Sequence, residues 1–138
     1  MIKHFFIFIL GATLLLSCNS EKKKIATNVK TQDFISGKLV YDDFCINCHM
    51  PDGKGVPNAF PPLANSDYLM SKREESIRSI KYGLKGPIEV NGVKYNGVMA
   101  KQGLSDKEIA DVMNYITNNW NNKNEELVTE NEVSKIQQ

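Results

Sequence analysis

The sequence predicts a small all-α domain held between an N-terminal export segment and a polar C-terminal tail. Three observations predict it. Apolar side chains recur at helical spacing in three separate stretches, two of those stretches open on a Ser-x-x-Glu pattern, and only one short pair of β-prone runs interrupts them. The 138 residues leave room for one small domain plus tails, and the ordinary composition excludes collagenous, disordered and multi-span membrane classes.

The N-terminal segment comes first. Lys3 and His4 make a short basic start, and Phe5 to Leu16 form an apolar run of twelve residues. A bilayer crossing needs about 20, so the run reads as the core of a secretory signal. It ends Leu15-Leu16-Ser17-Cys18, which resembles the lipobox of bacterial lipoproteins. That resemblance implies removal of residues 1–17 and lipidation of Cys18, with the mature chain exported and tethered at the periplasmic side of a bacterial membrane. The plainer alternative is ordinary cleavage that leaves Cys18 as an unused thiol. Without Lys3 the mature chain would carry 16 basic and 16 acidic side chains. Such a balance offers no basic field for nucleic acid, and that class of partner is excluded.

After Cys18, residues 19–32 are polar, contain Lys22-Lys23-Lys24, and read as a flexible tether. The folded part is expected over residues 33–120. Its first helix runs from Asp33 to Phe44, with Phe34, Leu39, Val40, Tyr41 and Phe44 as its apolar side. Residues 50–66 hold four of the five prolines and read as an ordered irregular loop. A second helix is expected to start at Ser71, where Ser71 and Glu74 have capping-box spacing, to bury Ile77 and Ile80, and to stop at Gly83. Ile88 to Tyr95 places two β-prone runs around Asn91-Gly92, the signal for a tight hairpin. The last helix opens on Ser105 and Glu108, and Ile109, Val112, Met113 and Ile116 form its apolar stripe. Residues 121–138, with four glutamates against two lysines, read as a polar, solvated or disordered tail.

The chemistry is concentrated in Cys45-Ile46-Asn47-Cys48-His49. Cys-x-x-Cys-His is the attachment signature of c-type haem. Two intervening residues let the backbone bridge two vinyl groups on adjacent pyrroles, and the next histidine is then held beside the iron. A thioredoxin-like dithiol would need a βαβ setting that this sequence lacks. A structural zinc site would need four ligands, and the exported chain offers only Cys45, Cys48 and His49. Of the two histidines, His4 leaves with the signal, so a second axial histidine within the chain is excluded. Methionine is the usual alternative. Met50 adjoins His49 and cannot reach the opposite face; Met113 lies on the last helix's apolar stripe as core filler. Met70 remains a lesser candidate. Met99, in a Gly-containing loop before the last helix, is the expected second axial ligand.

With these motifs in hand, residues 36–120 resemble a class I cytochrome c domain, near the single-haem modules of quinoprotein dehydrogenases, copper nitrite reductases and terminal oxidases. The resemblance rests on the haem motif, on Asp52-Gly53-Lys54-Gly55-Val56-Pro57 and Phe60-Pro61-Pro62-Leu63-Ala64, and on the segment Gly86 to Met99. It implies one covalently attached haem c, with His49 and Met99 on the iron. It also implies a Pro61 carbonyl that accepts a hydrogen bond from the His49 ring, and Leu63 packed on the haem. Ala100 stands where family members often have proline. Gly37, Tyr41 and Tyr115 match the positions through which the family's first and last helices cross. Trp120 is expected either to cover the haem or to close the core.

The function implied is that of an electron carrier rather than an enzyme, passing single electrons among dehydrogenase, reductase or terminal-oxidase partners. The docking patch is expected near Ile46, Val56 and the Met99 loop, and the protein is expected as a monomer or a subunit of a redox complex. The competing reading is a five-coordinate haem protein that binds a small ligand, which requires that no methionine bind the iron.

Overall fold

The structure, a computed structural model, describes residues 33–138. Cys18 and the signal segment and tether expected over residues 1–32 lie outside the described residues. Helix α1 covers residues 33–44, and the Cys-x-x-Cys-His motif follows as a one-turn helix, α2 (Ile46–His49). Gly37, Val40 and Tyr41 make the buried face of α1. The expected apolar side needs correction: Leu39 is 60% exposed and Phe44 44% exposed. Leu39 lies off the i, i+3, i+4 row that passes through Gly37, Val40 and Tyr41, so it faces outward.

The proline-rich loop is irregular yet tied down by its backbone. Leu63 and Ala64 both donate to the Gly53 carbonyl (2.7 and 2.9 Å), Gly55 donates to His49 O (3.0 Å), and Val56 bridges to Phe60. Ser66 then caps α3 (Asp67–Ser71), its hydroxyl accepting from Leu69 N. Helix α4 (Arg73–Tyr82) follows at once. The capping box expected from Ser71 and Glu74 is absent. Ser71 ends α3 with its hydroxyl donating back to Asp67 O (2.7 Å), and Lys72 takes the N-cap position of α4. Ile77 and Ile80 are buried as their spacing required, and Gly83 ends α4 at φ +86°, its N–H reaching Ser79 O.

Four short strands form two antiparallel pairs. β1 (Leu84–Lys85) pairs with β4 (Val98–Met99), setting Leu84 opposite Met99. Between them β2 (Ile88–Val90) and β3 (Val93–Tyr95) make the hairpin. Asn91 and Gly92 both take positive φ (51° and 76°), as a two-residue turn with matching strand twist demands. Helix α5 (Asp106–Ile116) carries a complete capping box between Ser105 and Glu108. Its Ile109, Val112, Met113 and Ile116 are at most 4% exposed and form the centre of the core. The fold is thus mostly helical, with the strands confined to the segment that carries Met99.

The C-terminal segment corrects the expected free tail. Residues 121–138 are built into the core, ending in α6 (Glu130–Lys135), with Val128 3% and Val133 0% exposed. Asn114 exchanges two hydrogen bonds with Val128 (2.9 and 2.7 Å). Arg73 grips Glu132 through two nitrogens (2.6 and 2.8 Å), and Lys81 and Tyr82 donate to the carbonyls of Val133 and Ile136. The segment's few apolar residues are sparse in sequence but spaced to meet α4 and α5, which a count of polar residues conceals.

Candidate haem site

His49 sits at the last position of α2, and the loop that follows returns Pro61 to it. The ring's Nδ1 lies 3.0 Å from the Pro61 carbonyl oxygen. A carbonyl can only accept, so Nδ1 carries the proton and Nε2 keeps a bare lone pair. Burial pushes the imidazole below its ordinary pKa, with the Pro61 contact pulling the other way. Gly55 makes this return possible: at φ +63°, a Cβ there would stand 2.3 Å from Phe60 O and 2.6 Å from Pro61 O. Cys45 and Cys48 are half-buried, and burial together with the neighbouring Cys48 raises the Cys45 thiol to about 11.

Two adjoining cavities open beside this turn and share Cys45, His49, Pro61, Leu84, Ile88 and Met99. The inner one, about 80 Å³, runs beneath Leu63, Leu69, Ile80, Val112 and Met113. The outer one, about 370 Å³, opens between Cys48 and the Met99 loop. The structure therefore brings together on one apolar cleft all six of Cys45, Cys48, His49, Pro61, Leu63 and Met99. Met70 lines neither cavity and is 39% exposed. Met113 is fully buried and also lines the inner cavity, a position its helical stripe did not disclose.

Other placements differ from expectation. The mouth is rimmed by Phe44, Phe60 and Val98, 44%, 37% and 70% exposed, while Ile46 and Val56 line neither cavity. The signal for two of these was present: Phe44 and Phe60 are large apolar residues flanking the haem motif, one at the last position of α1 and the other in the proline-rich loop. Trp120 closes the core rather than the cleft. Its ring centre lies 5.0 Å from that of Tyr41 in a tilted contact and 5.7 Å from that of Tyr115 edge-on, it covers Gly53, and its Nε1 donates to Pro51 O. Ser66, Tyr68, Ser76 and Ser79 also line the inner cavity, and sequence spacing alone did not single them out.

A largely apolar cleft that holds a Cys-x-x-Cys thiol pair and a bare imidazole nitrogen fits a porphyrin in its lining and in its donor chemistry. The fold and cleft define a class: a small helical domain that carries a covalently attached haem. Within that class the chain belongs to the cytochrome c family, whose model matches residues 34–120. The cofactor is haem c with its iron. The chain is 48% identical over 81 residues to cytochrome c-552 of Thermus thermophilus, an alignment covering 55% of this chain and 62% of that protein. It is 32% identical over 105 residues to the cytochrome c subunit of the quinone alcohol dehydrogenase of Gluconobacter oxydans, covering 73% of this chain and 22% of that subunit. The fructose dehydrogenase cytochrome subunit of Gluconobacter japonicus matches at 25% over 108 residues. The chain spans less than two thirds of the length of each of these relatives.

Proposed function

We propose that the protein is a single-haem electron carrier in which Cys45 and Cys48 hold the haem as thioethers and His49 and Met99 are its axial ligands. When bound, the haem supplies an iron that alternates between ferric and ferrous states. The observation that carries the reading is that His49, with Nε2 left free by the Pro61 contact, and Met99 line one apolar cleft. Pro61 fixes the tautomer and ring orientation of His49 and increases its basicity. Leu63, Ile80, Val112 and Met113 exclude water from the inner end, and Met99 favours the reduced state relative to a second histidine. Among the described residues no lysine, arginine or second histidine lines either cavity, so a bound peroxide or diatomic gas would find no cationic or imidazole partner there. The apolar rim of Phe44, Phe60 and Val98 marks where a redox partner meets the haem edge, in the weak, small contact that suits turnover.

Partners of this kind are dehydrogenases, reductases or terminal oxidases. A second reading, a fixed electron-transfer subunit, is favoured by the dehydrogenase cytochrome subunits among the relatives. The lipobox-like Leu15-Leu16-Ser17-Cys18 supports an exported chain, lipidated at Cys18 and held at the periplasmic side of a membrane, which raises its local concentration near such partners. The test is the optical spectrum of the haem-loaded protein. Sharp ferrous bands, no reaction with carbon monoxide and a weak far-red ferric sulfur band, lost in Met99→Ala, are expected. Immediate carbon monoxide binding by the unaltered protein would mean an open iron and would move it to the ligand-binding class.

A further inference from the structure

Among the described residues, one buried side-chain polar atom has no hydrogen-bond partner: the hydroxyl oxygen of Ser76, a residue only 7% exposed. Its neighbour Ser79 shows the ordinary solution for a serine inside a helix, donating one turn back to Glu75 O (2.7 Å). Ser76 makes no such bond. It lines the inner cavity, together with Ser66, Tyr68 and Ser79, and none of these four lines the outer one. The inner end is otherwise apolar, so a donor left open there awaits an acceptor that arrives with a ligand.

Porphyrin shape says which acceptor. The two vinyl groups of haem sit on adjacent pyrroles, and its two carboxylate side chains sit on the other two, across the ring. A haem anchored at Cys45 and Cys48, beside the outer cavity, therefore directs its carboxylate edge away from that lip. No lysine or arginine lines either cavity among the described residues, so a carboxylate reaching the inner end has only neutral donors available.

We propose that Ser76 is a positioning residue whose hydroxyl donates to a carboxylate of the bound haem at the inner end of the cleft. The inference rests on the haem reading above. A hydroxyl donor draws negative charge away from the carboxylate, and negative charge near the iron favours the ferric state. Loss of the donor therefore lowers the midpoint potential without touching either axial ligand.

The experiment compares the full haem-loaded protein with Ser76→Ala, Ser76→Thr and Ser76→Cys. Propionate bending modes are read by resonance Raman, propionate methylene signals by NMR of the ferric form, and the midpoint by redox titration. In Ser76→Ala the propionate signals shift and the midpoint falls while the sulfur band stays in place; Ser76→Thr restores both. Ser76→Cys, a weak donor of similar size, moves the same signals in the same direction and serves if the alanine variant does not load haem. Unmoved propionate signals in the alanine or cysteine variant overturn the proposal, and a displaced sulfur band with unmoved propionates assigns the hydroxyl to Met99 instead. Failure of the haem reading itself shows separately, as absence of covalently bound haem in the unaltered protein.

Discussion

Gly37 shows how much one absent side chain decides. A Cβ at that position would lie 2.1 Å from Asp111 O and 2.8 Å from the Tyr115 Cβ, so α1 and α5 cross backbone to backbone. Around the crossing Tyr41 packs at a tilt against Tyr115 and Trp120, and its hydroxyl donates to Met50 O at 2.7 Å, at the end of the haem-binding turn. Gly37→Ala is expected to force the helices apart and to destabilise the protein by about 3 kcal/mol, the upper part of the range for overpacked cores. Denaturant unfolding of the haem-loaded variant measures it, and an unchanged midpoint would mean that the crossing yields freely. Gly37, Tyr41 and Tyr115 were legible through the family resemblance. Gly55 was visible only as one glycine in a loop, because its need for φ +63° comes from the carbonyls of Phe60 and Pro61 that fold back against it. Ser76 was illegible for a related reason: being orphaned is a property of surroundings, not of spacing.

At the scale of elements, patterns that close within one turn were readable and those set by competition were not. Ser105 and Glu108 satisfy each other and form the predicted box, whereas Ser71 and Glu74 have the same spacing without the box because Ser71 is still part of α3 and Lys72 holds the N-cap position of α4. The β1–β4 ladder was missed, since two-residue strands carry no period to detect. Helix α6 docks through Arg73 and Glu132, and the guanidinium holds the Glu132 carboxyl below its ordinary pKa. A carboxyl depressed in the folded state stabilises fully above its unfolded value of about 4.3 and loses that contribution as pH falls through the lower folded value. Acid should therefore loosen α6 before the core. Both partners are about a third exposed at the side chain (28% and 32%), so screening limits the effect to about 1 kcal/mol. Glu132→Gln is expected to be less stable at neutral pH and to lose less further stability between pH 5 and pH 3. Equal acid sensitivity in the two proteins would remove Glu132 from the account.

For the molecule as a whole, the family match and the sequence reading both stop at residue 120, while the packed unit runs from residue 33 to residue 138. The tail was illegible because its anchors are two valines, a set of backbone carbonyls and one Arg73–Glu132 pair 59 residues apart, and neither carbonyls nor so distant a pairing has a sequence signature. Truncation after Trp120 would uncover the surfaces of α4 and α5 under Val128 and Val133, leave the side chains of Arg73 and Asn114 without their partners and reduce the polar partners of Lys81 to Asp106. Two buried valines alone are worth about 3 kcal/mol, which for a domain of this size lowers Tm by about 15 °C. Every residue lining the two cavities at the haem site lies between Phe44 and Ile116, so the truncated protein is expected to keep covalent haem and an unaltered visible spectrum. If residues 19–32 act as the proposed tether to a membrane, deleting them is expected to do the reverse: Tm and spectrum hold while turnover with redox partners slows. The two deletions separate stability from delivery. Should tail truncation leave Tm in place but slow turnover, the C-terminal segment would be a partner contact rather than a clamp on α4, and the electron-transfer unit would end where the family match ends.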